Sequence, residues 1–489
     1  MSEYDAIEKL LSPSSIAVVG ASHNVQKHGG RLIQHLLKHQ YQGEIFPVNP
    51  KGGEIQGLTC YKTIEDIPVT PDLACLLIGP SLLMEALKSC SAKKIKMVMI
   101  HASGFAETGN CGEILQKQIV EFAREHDIRI CGPNTIGIAN INKRVFASFS
   151  MAMTTNYIPM NGKISYITQS GAIGGAMLSQ GWEKQIGISK WISSGNEADL
   201  NASDYLHYAV DDSSTGTICL FLEGLDQGES FKAALAKAAN VKKPVIIYKN
   251  GRSQIGQKSV KSHTGVLAGN HEVYKAVFKQ LGAINAEDLD DLFDYAIAFD
   301  YPNKPKSSRI GIISTSGGAC TIVTDQCSKY GLSVPDLSSK SIQTLTEISP
   351  EFSTPQNPFD TTAQILNDPE SLKKSVEVFI EDENIDALVL MLTTVGGSLA
   401  SKAAEDIIEI SKKTDKPIYL AWTIAESLAK EGMNQLRRAK IPLYPSAERA
   451  VKSLAAVQQH TVFLEEWEEK KEVYNHFFFS GQKKEILNR

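Results

Sequence analysis

Short apolar runs recur along the chain, each followed by a glycine-containing turn and a stretch of helical period. Ser15–Gly20, Glu44–Asn49, Leu73–Gly79, Lys96–Ala102 and Ile128–Gly132 read as buried strands. Strands alternating with helices predict βαβ units, a parallel sheet and right-handed crossovers. This first domain, residues 1–150, is expected to close near residue 145, with 146–162 as a linker. Lys163–Thr168, Gly187–Ile192, Thr217–Leu222 and Pro244–Lys249 are the strands of a second domain, 160–300. After the proline-rich break Tyr301–Ser308, a third domain, 308–460, opens with Arg309–Ser314 and continues through Ala387–Leu392 and Pro417–Trp422. The charged, aromatic end of the chain, 461–489, reads more as a docking or frayed helix than as core.

The second and third series share an opening. Lys163–Gly175 (KISYITQSGAIGG) and Arg309–Cys320 (RIGIISTSGGAC) each run an apolar strand into a Ser-Gly turn that starts a helix. Gly187–Ile192 and Gly331–Val334 then begin the next strands at similar offsets. The pattern predicts duplicated doubly wound domains.

Composition narrows the classes. Of 489 residues, 42% are hydrophobic and 21% charged, as in ordinary globular proteins, and the net charge is -5. No basic field exists to hold a nucleic-acid backbone. No apolar run reaches the length of a membrane span, and the acidic N-terminus is not a secretory signal. The eight cysteines form no C-x-x-C pair or zinc spacing and read as reduced, buried thiols of a cytoplasmic protein.

Candidate chemistry gathers at strand ends. Gly20–Gly30 (GASHNVQKHGG) follows the first strand, where backbone N–H groups meet phosphate at a helix start, but the strict GxGxxG is absent. The second strand ends in Lys51, where NAD-binding folds place an acid. A cation there suits the phosphorylated ribose of NADP or CoA, and the alternative is a solvated surface lysine. Met99–Gly104, with Ser103, and Cys131–Asn140, with Gly132-Pro133-Asn134, point at the same crevice, or are plain turns.

Two small-residue turns, Ser170-Gly171-Ala172 and Ser316-Gly317-Gly318, each offer a hydroxyl and the free N–H groups of a helix start, and suggest a phosphate held between paired helix ends. Neither is a Walker A loop. His263 lies in Lys258–Gly269 (KSVKSHTGVLAG), whose composition reads as a poor helix and an active-site loop. A neutral imidazole attacks phosphorus and leaves easily, whereas many loop histidines only cap a helix. Glu223 ends the strand Thr217–Leu222, at the position from which a carboxylate fixes a histidine tautomer; a surface carboxylate or helix cap is the alternative. Ser194–Asp199 (SGNEAD) is read more loosely as lining an acyl-transfer site, and Asn357–Asp360 as a turn.

Together these segments resemble the ADP-forming acyl-CoA synthetases: acetate–CoA ligase (ADP-forming) and its relative succinyl-CoA synthetase. The resemblance covers nearly all of residues 10–460 and is carried by VNPKGGEIQGLTCY (Val48–Tyr61), CGPNTIGIAN, ITQSGAIGG, SSGNEADL, FLEGL and KSHTGVLAG. It implies an α/β chain: a Rossmann-like CoA-binding domain, then two flavodoxin-like doubly wound parallel-sheet domains. CoA would take Gly20, Ala21, Ser22, Asn24, Lys51, Ser103, Gly132, Pro133 and Asn134. His263 would be phosphorylated and Glu223 would orient it. The reaction implied is acid, CoA and ATP (or GTP) to acyl-CoA, ADP (or GDP) and phosphate, with Mg²⁺ arriving with the nucleotide. The family also needs an ATP-grasp unit. About 30 residues beyond position 460 cannot hold one, so a β subunit and a hetero-oligomer are expected. A non-catalytic CoA-binding regulatory protein and an NADP-dependent oxidoreductase are the competing readings. The intact His263, Glu223 and Ser-Gly turns weigh against the first, and the missing GxGxxG against the second.

Overall fold

The computed structural model describes residues 1–155, 162–264, 270–349, 353–362 and 368–479. Two compact units form: Met1–Glu287 with the chain from Lys470 onward, and Asp288–Glu469.

The first unit holds two sheets. One is wholly parallel, in the spatial order Glu44–Val48, Ser15–Val19, Leu73–Leu76, Met97–Ile100, Arg129–Cys131. Ile16 pairs with Ile45 on one side and Leu73 on the other. Every residue of the three central strands is buried, because helices cover both faces of a parallel sheet and the strand must be apolar throughout. The observed strands stop one to three residues short of the expected ends.

The other sheet runs Ile284–Asn285, Val245–Lys249, Thr217–Leu222, Ile164–Thr168, Ile188–Ser193, Ile138–Asn140. Its first five strands are parallel; the last is antiparallel. Ile138–Asn140 thus leaves the first series and closes the edge of the second sheet, with Trp191 opposite Ala139.

The segment expected as a linker is fastened where it is described. His35 Nδ1 donates to Ser148 O at 2.7 Å, Lys38 Nζ donates to Thr154 O at 2.7 Å, and Met151–Thr154 is a 3-10 turn. Residues 156–161 lie outside the described residues. Burial pushes the His35 imidazole down to about 4, so it packs as a neutral ring.

The second unit carries one parallel sheet, Phe359–Asp360, Ile310–Ser314, Ala387–Thr393, Ile418–Thr423, Leu443–Tyr444. The parallel strands of all three sheets follow the doubly wound order 2-1-3-4-5 within their own series, which is the duplication foreseen from the Ser-Gly openings. One expectation fails. Gly331–Val334 is not a strand: only Ser333 bridges Arg309, and Phe359–Asp360 takes the edge position. Leu332 and Val334 both pack against the core, but Pro335, with no N–H to donate, ends the pairing.

The end of the chain also differs from expectation. A continuous helix, Ala447–Phe479, runs into it, and Trp467 on that helix is only 2% exposed. An aromatic stripe at helical spacing, His460, Phe463 and Trp467, explains the burial.

Within the second unit, the helices Gly397–Ser411 and Glu426–Arg438 meet at Gly432, where a Cβ would lie 2.4 Å from Ala400 O. Gly432→Ala should therefore push them apart and cost about 1–3 kcal/mol. Urea unfolding of the two proteins measures this, and equal midpoints would contradict the close packing.

Candidate functional site

Parallel sheets expose their ligand crevice at the C-terminal strand ends, beside the first strand where the order reverses. At that edge of the first sheet the chain turns at Gly20 (φ 89), whose N–H and that of Ala21 donate to Val48 O at 3.1 and 3.2 Å. The loop then folds on itself: Asn24 N–H donates to Ser22 Oγ and Gln26 N–H to Asn24 Oδ1. The helix His28–Lys38 begins without a side-chain cap. A Cβ on Gly29 would lie 2.1 Å from Gly20 O, and one on Gly30 2.3 Å from Asn24 O. The glycine pair brings the helix start, with its unpaired N–H groups, onto the turn.

Asn49 joins this loop to the next strand end, donating to Ala21 O at 2.9 Å and accepting from Lys51 N–H at 3.0 Å. Lys51 and Ser103 are exposed on the same edge. Gly132-Pro133 is a cis peptide, and Asn134 (φ 59) donates its backbone N–H to Ala102 O. The nine residues expected at the first crevice thus share one sheet edge.

That edge is sewn to the second sheet by Ser194–Asp199. Asn196 N–H donates to Pro133 O at 2.8 Å, Ala198 N–H to Gly132 O at 3.0 Å and Leu200 N–H to Ile130 O at 3.2 Å. The Arg129 guanidinium clasps Asp199 with two bonds, 2.8 and 3.1 Å. The Asn196 side chain accepts from Asn134 and donates to Glu107, whose carboxylate also takes the N–H groups of Gly104 and Phe105.

At the C-terminal edge of the second sheet a small pocket is lined by Gln169, Gly195, Asn196, Glu197, Glu223, Gly224 and Asp226. Thr168 pairs with Phe221, so Gln169 and Glu223 emerge side by side. Ser170 starts the helix Gly171–Glu183 without a side-chain cap bond, and Ala172 is exposed. Gly174 is needed because a Cβ there would strike Thr168 Cγ2 at 2.4 Å.

Two side chains at this edge escaped sequence reasoning. Gln169 Oε1 accepts from the N–H groups of Glu223 and Gly224, while its Nε2 donates to Glu197 and to Gly224 O. Lys249 ends the strand next to Glu223's, buried, donating to Glu223 O at 2.7 Å and facing the Tyr274 ring at 4.9 Å. Burial lowers its amine to about 8, although Glu223 opposes that shift. The register of Leu222 with Lys249 is the signal that pairs them.

His263 corrects the sequence reading. Its backbone belongs to the helix Gln254–Thr264, which packs against the turn Ala106–Thr108. As far as Thr264 the stretch is helical and not a loop, and Lys258 and Ser259 on it are exposed. The His263 side chain and residues 265–269 lie outside the described residues.

In the second unit, Ser316 also leaves its helix Gly317–Lys329 uncapped, and Gly317 and Gly318 are exposed. Asp360 stands at this helix start: a Cβ on Gly317 would lie 2.8 Å from its Oδ2. The aspartate occupies the position that favours an anion. Among the described residues no cluster of acids, histidines and cysteines is arranged to hold a metal, and no helix is long and apolar enough to cross a membrane.

Residues 14–141 match the family model of the CoA binding domain, and 161–299 that of the succinyl-CoA ligase like flavodoxin domain. The α subunit of acetate–CoA ligase [ADP-forming] II of Pyrococcus furiosus is 34% identical, with 93% of this chain and 98% of that one aligned. The chain belongs to the ADP-forming acyl-CoA ligases. Acetate–CoA ligase [ADP-forming] I of Archaeoglobus fulgidus is 33% identical over 93% of this chain, which spans 64% of that protein. The dinucleotide-forming acetyl-coenzyme A synthetase 1 of Ca. Korarchaeum cryptofilum, solved with phosphate and ADP, superposes with a TM-score of 0.86 at 28% identity, covering 94% of this chain and 97% of that one. Both sheets of the first unit thus fall within the two matched ligase domains.

Lys249 yields a pH prediction for this ligase. Its amine titrates near the usual 10.5 when unfolded and at about 8 when folded. Between those values the unfolded state binds more protons, so the Lys249 contribution to stability rises with pH. Relative to Lys249→Met, the wild type should gain about 1–3 kcal/mol across that window. Urea titrations at both ends measure it; a constant difference would mean an ordinary lysine.

Proposed function

We propose that this chain is the CoA-binding, phosphohistidine-carrying α subunit of an ADP-forming acyl-CoA ligase, with His263 as the phosphoryl carrier. The observation that carries the reading is the seam Ser194–Asp199. It fastens the CoA-binding edge to the pocket of Glu223 and Gln169, so acyl transfer and phosphoryl transfer lie within one unit.

In the ATP-forming direction, inorganic phosphate attacks the thioester carbonyl; the C–S bond breaks and CoA leaves as its thiol. An imidazole nitrogen of His263 attacks the phosphorus of the acyl phosphate; the P–O bond breaks and a small carboxylic acid leaves as carboxylate. A β-phosphate oxygen of ADP then attacks, the P–N bond breaks and ATP forms. The reverse sequence makes acyl-CoA. Glu223 accepts the other ring N–H of His263, and Ser170-Gly171-Ala172 presents backbone N–H groups to the phosphoryl oxygens. Gly20–Asn24, Lys51, Ser103 and Gly132–Asn134 hold CoA, with Lys51 on its ribose phosphate. Ser316-Gly317-Gly318 is read as a second phosphate-binding helix start, where Asp360 must yield to the anion.

ADP or GDP, with Mg²⁺, is assigned to an ATP-grasp β subunit. A relative named as an α subunit is matched over 98% of its length, whereas the longer Archaeoglobus protein extends well beyond the match. The reading places the hetero-oligomer in the cytoplasm.

Incubating the chain and its co-purified partner with acetyl-CoA and labelled phosphate should label His263 in an acid-labile, base-stable form. His263→Ala should abolish label and turnover while leaving CoA affinity nearly unchanged. Label on another residue, or normal turnover of His263→Ala, would sink the mechanism. Calorimetry tests Lys51 separately. Lys51→Ala should lose up to about 1.5–3 kcal/mol of CoA affinity, less where solvent screens the contact, and little for dephospho-CoA. Equal losses for both ligands would remove Lys51 from the ribose phosphate.

A further inference from the structure

Glu197 lies in an unusual place for an acid. Its backbone is left-handed (φ 55), a conformation that strains a non-glycine residue and persists where surroundings dictate it. It is half-buried and lines the same pocket as Glu223 and the exposed Asp226. Its carboxylate is nevertheless well held: Oε1 accepts from Ser194 Oγ at 2.6 Å and Oε2 from Gln169 Nε2 at 3.0 Å, with the Ala202 N–H adding to them. Gln169 uses its other end on the backbone N–H groups of Glu223 and Gly224. A line of hydrogen bonds therefore joins Glu197 to the position of Glu223.

We propose that Glu197 is a positioning residue of the phosphoryl site, holding the Glu223 backbone in place through Gln169. This rests on the phosphohistidine reading above and adds a residue to it. A carboxylate is a stronger acceptor for the Gln169 amide than a carboxylic acid, so protonating Glu197 slackens the clamp. The groups facing it set where that happens. Glu223 and Asp226 approach from the loop after Thr217–Leu222, Tyr205 from the helix Ala202–Asp211 and Cys131 from the first sheet. Burial keeps Tyr205 and Cys131 protonated, so the charged neighbours are acids. Burial first, and Asp226 after it, push Glu197 up to about 7 against its hydrogen bonds. The clamp is then tight above neutrality and loose below it.

The test follows labelling of His263 by acetyl-CoA and labelled phosphate in the full chain with its co-purified partner. Glu197→Gln is nearly isosteric; it removes the charge and, like protonation, turns one of the two acceptor positions into a donor. It should slow labelling about tenfold near pH 8 and hardly at all near pH 6, so the wild-type-to-variant ratio rises through about pH 7. That ratio cancels the titration of His263 itself, present in both proteins. Gln169→Ala should show the same loss near pH 8, and the double variant no further loss, because both act through one clamp. The KM for CoA should not move. A ratio independent of pH, or losses that add in the double variant, would overturn the proposal while leaving the carrier role of His263 standing. The ratio is read from Glu197→Gln alone if Gln169→Ala does not fold. Wild type without label on His263 would overturn both readings.

Discussion

Everything at the site of the first unit depends on the seam between two sheet edges. Three backbone bonds, from Asn196, Ala198 and Leu200 to Pro133, Gly132 and Ile130, run like a short strand pairing outside either sheet. The Arg129–Asp199 pair locks its far end, with both side chains largely removed from solvent. A bidentate pair in that setting fixes geometry more than it adds stability, since desolvation offsets much of the Coulombic gain. The seam has a direct chemical consequence. An acyl group passing between thiol and phosphate has to find both in one crevice, and an error of an ångström at the reacting atoms costs rate steeply. Were the two domains joined only by a flexible connection, each strand end would be correct and the crevice would not exist.

The pocket itself poses an electrostatic problem. Glu223, Glu197 and Asp226 line one pocket, to which the proposed mechanism would bring a phosphoryl group with two negative charges. Like charges at a few ångströms repel by several kcal/mol in a partly buried site. The fold answers from three sides. The helix Gly171–Glu183 aims its uncapped start at the edge, Lys249 stands behind Glu223 with its amine on the Glu223 carbonyl, and burial raises the Glu197 carboxyl towards neutrality. Acids would be useful there if a histidine ring N–H is to be gripped. The buried amine and the helix start offset their charge, and a carboxyl raised towards neutrality carries less of it.

Much of this is legible in the amino-acid sequence alone. Buried parallel strands announce themselves as unbroken apolar runs, and Gly20, Ser170 and Ser316 mark helix starts because the turns that precede them demand small residues. Three features are not legible there, each for a different reason. Lys258–Thr264 resembles a loop because small polar residues have middling helix propensity, and tertiary packing decides such cases. Gln169 and Glu197 are far apart in sequence, and their bond exists only once Thr168 pairs with Ser193 and the seam is closed. Ile138–Asn140 lies in a stretch read as a turn, yet forms a strand that pairs with the next sheet, since three residues carry too little pattern to announce a strand or its partner.

The duplicated sheet of the second unit shows how fold and chemistry separate. Ile310–Ser314 corresponds to Ile164–Thr168, Ala387–Thr393 to Thr217–Leu222, and Ile418–Thr423 to Val245–Lys249, in the same spatial order. Yet, by strand register, Thr393 stands where the first copy has Glu223, and Trp422 where it has Lys249. Thr393 N–H donates to Thr315 Oγ1 as Glu223 N–H does to Gln169 Oε1, so the strand-end contact has been retained while its acid has not. The charge that does appear, Asp360, sits at the start of the helix and not at the end of the neighbouring strand. An acid there neutralises the helix end that an anion would otherwise use, which is the opposite electrostatic arrangement to Ser170-Gly171. The scaffold therefore repeats because one packing solution serves any doubly wound sheet. Among the described residues, the strand-end carboxylate and the buried amine stand in the copy whose edge the seam ties to the CoA-binding sheet, so one scaffold carries different side chains in its two copies.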